Sequence, residues 1–166
     1  IELKDAIAYA KDTFAYTNHT IMPEALEKWH TNLFYDVIPE VYNYVIALDK
    51  VLQEELAEKG IEGDDQKIFR IICDDRVHMA RIAIYATHST NAVAQIHSDI
   101  LKDTALHEWY KLYPERFNNK TNGITQRRWL ALANQELASF IIGKIGDGWI
   151  TDLFELKKME QFADDE

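Results

Sequence analysis

Apolar residues recur at Leu3, Ile7, Ala10 and Phe14, a three-to-four spacing that predicts a first helix between Glu2 and Tyr16 with one buried face. The polar stretch Thr17-Asn18-His19-Thr20 ends it, and Met22-Pro23 turns the chain away from helical geometry, which places His19 in a loop. The longest periodic run follows, through Leu26, Trp29, Leu33, Val37, Val41, Val45, Leu48 and Leu52. Pro39 lacks an amide for an interior helical bond, so two helices are expected there, the second reaching about Gly60. Lys59 to Asp65 reads as a turn, and the β-branched stretch Val77 to Tyr85 as a buried strand. Ser89 or Thr90 would then cap a helix carrying Val93, Ile96, Ile100 and Leu101, making Ala86 to Asn91 a strand-to-helix turn. A short helical stretch is expected between Lys102 and Pro114, an irregular loop over Asn118 to Gly123, and a long helix from Gln126 to Ile145. Gly146-Asp147-Gly148 stops that helix, and Thr151 or Asp152 is placed to cap a last one through Leu153, Leu156 and Met159. The acidic tail Asp164-Asp165-Glu166 is expected to fray. The fold class is mainly α with a minority of β-strands, read as a single partial domain over residues 1–166.

Composition narrows the function classes. A hydrophobic fraction of 47% is that of a folded chain rather than a disordered one. The formal net charge of -10 argues against nucleic-acid and anionic-membrane partners, both of which need clustered Lys and Arg. The doublets Arg127-Arg128 and Lys157-Lys158 lie among apolar and acidic neighbours and read as solvated faces. No apolar run approaches the roughly 20 residues of a membrane span. Cys73 is the single cysteine, so no internal disulfide forms, a reducing cytoplasm is expected, and the Ile71-Ile72-Cys73 context assigns it to packing. The chain begins at Ile1 rather than Met, as a processed or truncated product would.

Spacing alone offers little chemistry. Asp75 and His78 have the interval that puts two metal ligands on one helical face, but no second such motif exists, and His97 and Asp99 diverge on a helix. No Gly-x-Ser-x-Gly elbow and no Gly-rich phosphate loop occurs. His19 and His88, both at element ends, are the residues left as candidates.

The stretch Tyr16-Thr17-Asn18-His19-Thr20-Ile21-Met22-Pro23-Glu24-Ala25-Leu26-Glu27-Lys28-Trp29 resembles, nearly residue for residue, a segment of the α-1,4-glucan (glycogen, maltodextrin and starch) phosphorylases. The likeness continues at Thr87-His88, Asn91 to Ala94, Ile96 to Lys102, Phe117 to Thr125, Arg127 to Leu130 and Trp149 to Leu153. It implies an internal fragment from the end of the N-terminal domain of a two-domain, glycosyltransferase-like (GT-B) α/β fold. The parent reaction is cleavage of a terminal α-1,4-glucosyl unit by inorganic phosphate to glucose 1-phosphate, assisted by the phosphate of pyridoxal phosphate. The resemblance makes His88 a hydrogen-bonding partner of the glucosyl 6-hydroxyl, puts His19 beside the anomeric carbon, and has Ser89 and Ala94 lining the pocket. The Schiff-base lysine, the cations on the substrate phosphate and the sugar-contacting glutamate would lie beyond Glu166, and the Gly-rich turn before Ile1. No cofactor is therefore expected on these residues, and the chain alone is expected to be inactive, with self-association through exposed domain surface as a further expectation. The reading from a different class is a non-catalytic module that binds glucan or protein. Ala86 and Ala92 stand where the family often has glycine, and Gln126 where it often has proline, which raises the question of whether the turn around His88 needs positive φ.

Overall fold

Phe14 decides where the first helix stops. α1 covers Leu3–Thr13 and buries Ile7, but Phe14 is extended (φ -107°, ψ 148°), and its carbonyl accepts from the His88 amide at 3.1 Å. Ala15–Thr17 then forms β1, paired in parallel with Ser89, Thr90 and Asn91. The helix expected to reach Tyr16 is thus corrected, because pairing with a distant segment outweighs the local apolar period. The computed structural model describes residues 1–164, and the chain falls into two compact units, Ile1–Thr121 and the segment from Asn122 onward. The fraying expected of the tail lies, for Asp165 and Glu166, outside the described residues.

In the first unit a short 3-10 turn at Pro23–Ala25 precedes β2 (Lys28–His30). β2 interrupts the helix expected through Leu26 and Trp29, since Lys28, Trp29 and His30 pair antiparallel with His78, Val77 and Arg76. α2 (Thr31–Val37) and α3 (Pro39–Glu58) then meet at Ile38, with Pro39 in the first turn of α3, where its missing amide costs nothing. Gly60 and Gly63 adopt φ of +78° and +61°, values glycine reaches without the steric cost of a side chain, and a 3-10 segment follows at Gly63–Ile68. β3 (Ile72–Cys73) and β4 (Arg76–His78) form a hairpin whose two turn residues, Asp74 and Asp75, are both left-handed (φ 51° and 55°). Two consecutive left-handed residues suit a tight hairpin, and Asp tolerates them. Asp75 and His78 therefore occupy a turn and a strand rather than one helical face.

The strand expected over Val77 to Tyr85 is corrected in the same region. It ends at His78, and Met79–Tyr85 is a helix, α4, built around two alanines that favour it. Its C-cap Ala86 has φ -87°, and neither Ala86 nor Ala92 is among the described residues with positive φ, so the turn into His88 needs no glycine. Ser89–Ala92 is the strand β5, not a cap. The following helix α5 (Gln95–Asp103) starts later than expected, with Ala94 extended at its N-terminus. α6 (His107–Leu112), a 3-10 turn at Pro114–Arg116 and β6 (Phe117–Asn119) complete the unit, so the loop expected from Asn118 begins after Asn119. The strands form two small sheets, β1-β5-β6 with all pairs parallel and β2-β4-β3 with both antiparallel. Helix predominates, as the apolar periods require.

Leu52, Leu56, Ile71, Val77, Ile84, Tyr85 and Leu101 form a fully enclosed core, with Phe69 edge-on to Trp109 at 5.3 Å. A polar knot crosses its edge. Glu55 of α3 accepts from the Tyr113 hydroxyl at 2.8 Å and the Tyr85 hydroxyl at 3.1 Å, and Lys11 lies 3.6 Å from it, over the Tyr85 ring. Burial pushes both phenols up, and the Lys11 amine down. Burial alone would raise the Glu55 carboxyl, but the Tyr113 and Tyr85 hydrogen bonds and the Lys11 charge outweigh it and hold it below its ordinary value.

The second unit opens on a wide π-helical turn, Arg127–Leu132, and continues as α7 (Gln135–Ile145). The single helix expected from Gln126 is split because Asn134 leaves helical geometry and caps α7, its side chain accepting from the Leu137 amide at 3.2 Å. Gly146 (φ +82°) ends α7, and Asp152 caps the 3-10 run Leu153–Phe162 through the Phe154 amide. Trp149 is fully buried against Ala138 and Ile141. Gln126 is buried too and donates to the Ile150 carbonyl at 3.1 Å, so glutamine here makes a bond that proline could not.

Candidate functional site

Because β1, β5 and β6 run parallel, their carboxyl ends share one edge, the place where open parallel sheets bind ligands. Past β1, the Asn18 amide donates to the Asn91 carbonyl at 2.8 Å. The buried Asn18 side chain accepts from the Thr20 amide, and the Thr20 hydroxyl from the Met22 amide, each at 3.0 Å. These successive side-chain turns hold the exposed His19 at the sheet edge. Past β5, Ala94 is extended (φ -155°, ψ 155°) and leads into α5. Past β6, the Lys120 amide donates to the Ala92 carbonyl at 3.0 Å. Ser98 lies within hydrogen-bond reach of the Ala94 carbonyl and the Asn119 side chain, joining the second and third of these ends.

His19, Ile21, Ile96, His97 and Ile100 line a cleft of about 230 Å³ at this edge. His97 Nδ1 accepts from the Val93 amide at 3.4 Å, which leaves the proton on Nε2 of the neutral ring. That Nε2 is buried with no partner among the described residues, a condition that costs about 1–3 kcal/mol.

His19 and Ala94 therefore belong to the carboxyl edge, whereas His88 and Ser89 sit where β5 begins, at the opposite edge. Ser89 and Ala92 open and close the same strand, roughly 10 Å apart at about 3.3 Å per residue. His88 is exposed, its Nδ1 donating to the Lys11 carbonyl at 2.9 Å, which leaves Nε2 as the nitrogen open to a ligand. Ser89 Oγ accepts from Asn118 Nδ2 at 2.7 Å.

A second cavity, of about 300 Å³, lies among Leu26, Lys28, His78, Arg81, Leu106 and Trp109. Arg81 donates to the Lys67 and Arg70 carbonyls at 3.0 and 2.7 Å. Burial, the Arg81 guanidinium and the Lys28 ammonium push the His78 imidazole down to about 4, against a smaller opposing pull from Asp74. His78 is thus neutral in the folded chain, while in the unfolded chain it titrates near 6.5. A depressed pKa contributes stability that is present above the unfolded value and lost as pH falls towards the folded one. The melting temperature should accordingly drop between about pH 6.5 and 4. His78→Gln should flatten that slope, and an unchanged slope in thermal melts across these pH values would rule the assignment out.

Among the described residues no group of three His, Cys, Asp or Glu side chains is placed to hold a metal. Pyridoxal phosphate needs an amine free to form a Schiff base. Lys11, the lysine whose amine burial lowers, is held by Glu55 and the Tyr85 ring and is not free for that role. No described helix is long and apolar enough to cross a membrane. Cys73 is free and half-buried at the end of β3.

His97 is the site residue that sequence reasoning passes over, appearing there in the rejected pair with Asp99 and, without a role, inside the family-like stretch Ile96 to Lys102. The available signal was its place four residues after Val93, in the first turn of α5.

The sequence model for carbohydrate phosphorylases matches residues 1–166. A glycogen phosphorylase of Synechocystis sp. is 41% identical over 167 residues, covering 98% of this chain and 20% of the relative. The maltodextrin phosphorylase of Streptococcus pneumoniae is 41% identical over 164 residues, covering 99% and 21%. The brain form of human glycogen phosphorylase is 40% identical over 161 residues, covering 94% and 19%. The chain spans about a fifth of the length of these relatives.

Proposed function

The chain belongs to the carbohydrate phosphorylase family, and on that premise we propose that it supplies part of the glucan-binding wall of an α-1,4-glucan phosphorylase. The reaction proposed for the longer protein is phosphorolysis of terminal glucosyl units to glucose 1-phosphate, within a GT-B-like two-domain fold whose N-terminal domain closes with these residues. The observation that carries the reading is the His19 cleft at the carboxyl edge of β1 and β5. A neutral imidazole can both donate to and accept from a sugar hydroxyl, and the isoleucines beside it suit the apolar faces of a pyranose ring. His19 and Ala94 are read as contacts to one glucosyl unit. His88, with Nε2 open to a ligand, and Ser89 are read as contacts for another part of the glucan, because the length of β5 separates the two pairs. Phosphate and cofactor chemistry is assigned to residues outside these 166, so the chain by itself is read as binding glucan without cleaving it.

Titrating the chain with maltopentaose and following ¹H–¹⁵N spectra tests this. Saturable shifts are expected at His19, Val93 and Ala94, and His19→Ala should weaken binding about tenfold, the loss of one good hydrogen bond. No shifts at millimolar ligand, or an unaltered Kd in the variant, would defeat the proposal.

A further inference from the structure

The geometry points to His97 as a positioning residue for this site, one that holds the Val93–Ala94 corner leading into α5 through its Nδ1. The inference rests on the proposed glucan reading of the cleft, but its physical content is separate. The corner is where β5 gives up its ladder. Ala92 still pairs with Asn119, while Ala94 already stands at the start of α5, so Val93 carries the change of direction. His97 Nδ1 is the acceptor that its amide finds, one helical turn later.

A wall residue serving only to pack would match its neighbours in the cleft, Ile21, Ile96 and Ile100, and leave no polar atom unpaired. His97 instead buries Nε2 without a partner among the described residues. At 3.4 Å its bond to the Val93 amide is long, so it contributes little to stability. An imidazole kept here against the packing preference, and returning one long bond to the chain, acts by fixing the corner from which α5 sets out with Ile96 and Ile100 in the cleft wall. The sealed Nε2 excludes direct contact through that nitrogen, so His97 acts through Val93 and Ala94.

The wild type and two variants of the full 166-residue chain decide the matter. In the wild type, imidazole ¹⁵N spectra should show His97 with Nδ1 unprotonated and Nε2 protonated. His97→Leu should exchange the Val93 amide about fivefold faster and weaken maltopentaose binding by a similar factor, while its thermal midpoint stays level or rises. His97→Asn, whose side-chain oxygen falls near the Nδ1 position, should restore both exchange and binding to within about twofold of wild type. A protonated Nδ1, or Val93 exchange in His97→Leu as slow as in wild type, overturns the inference. So does faster exchange with unchanged binding, since the corner would then not serve the ligand. A midpoint that falls in step with binding marks His97 as merely structural and overturns it too. If the wild type ignores maltopentaose while the tautomer and exchange results hold, the glucan reading falls and the Val93 clamp stands.

Discussion

Asp49→Ala is expected to remove about 3 kcal/mol of stability from the first unit, read as a shift of the urea midpoint at unchanged slope. Asp49 is 3% exposed in the middle of α3. One carboxylate oxygen accepts from the Ile71 amide at 2.6 Å and the Ile72 amide at 3.3 Å; the other accepts from Gln53 at 2.7 Å and lies 3.5 Å from the Arg70 guanidinium. Those amides belong to the stretch where the chain leaves a 3-10 segment and enters β3, where neither helix nor ladder satisfies both. Ile71 is itself fully buried, so truncation strands its N–H in a dry interior. Two effects oppose the loss. Alanine is the better helix former by about 0.5 kcal/mol, and the Arg70 side chain is exposed enough for water to take over part of its charge. Neither approaches the cost of the stranded amides. Asp49→Asn keeps an acceptor for the backbone and loses only the charge, so it should cost about half as much. A loss under about 1 kcal/mol for Asp49→Ala, or equal losses for the two variants, would show that the carboxylate does not organise this turn.

Trp149→Ala should cost about 3–5 kcal/mol and unfold the second unit, seen as loss of amide protection along α7. Trp149 is fully enclosed, with Ala138 and Ile141 buried beside it and Leu130, Ile145, Leu156 and Met159 packed around them. A unit this small has little other apolar surface to bury, so one indole is a large share of its core. Trp149→Phe is the informative control. The indole N–H is buried without a partner among the described residues, and phenylalanine removes that donor along with some volume, so its cost should fall well below that of alanine. Persistence of α7 protection in Trp149→Ala would mean that the unit draws its order from elsewhere.

The apolar stripe of α3 and its break at Pro39, the glycine turns after it and the Asp152 cap were legible in the chain, because each is a local effect: a period, a missing amide, a side chain within reach of its own backbone. Family membership was legible for a related reason, since long ordered motifs such as Tyr16 to Trp29 are a property of the sequence itself. The strands were not. β5 is Ser-Thr-Asn-Ala, with no strong strand preference, and it is a strand because β1 and β6 lie on either side of it. β2 reads as helix until Arg76–His78 pairs with it, and Met79–Tyr85 reads as strand until its backbone bonds close locally. The same limit applied to the site. Sequence singled out His19 and His88 as residues at element ends, but which end of which strand depends on partners far along the chain. Only the parallel pairing of β1, β5 and β6 put His19 and Ala94 on one edge and His88 on the other, and only packing buried the unpaired nitrogen of His97. A sheet's hydrogen bonds are made between segments distant in sequence, so the chain carries their donors and acceptors while the tertiary structure chooses which of them meet.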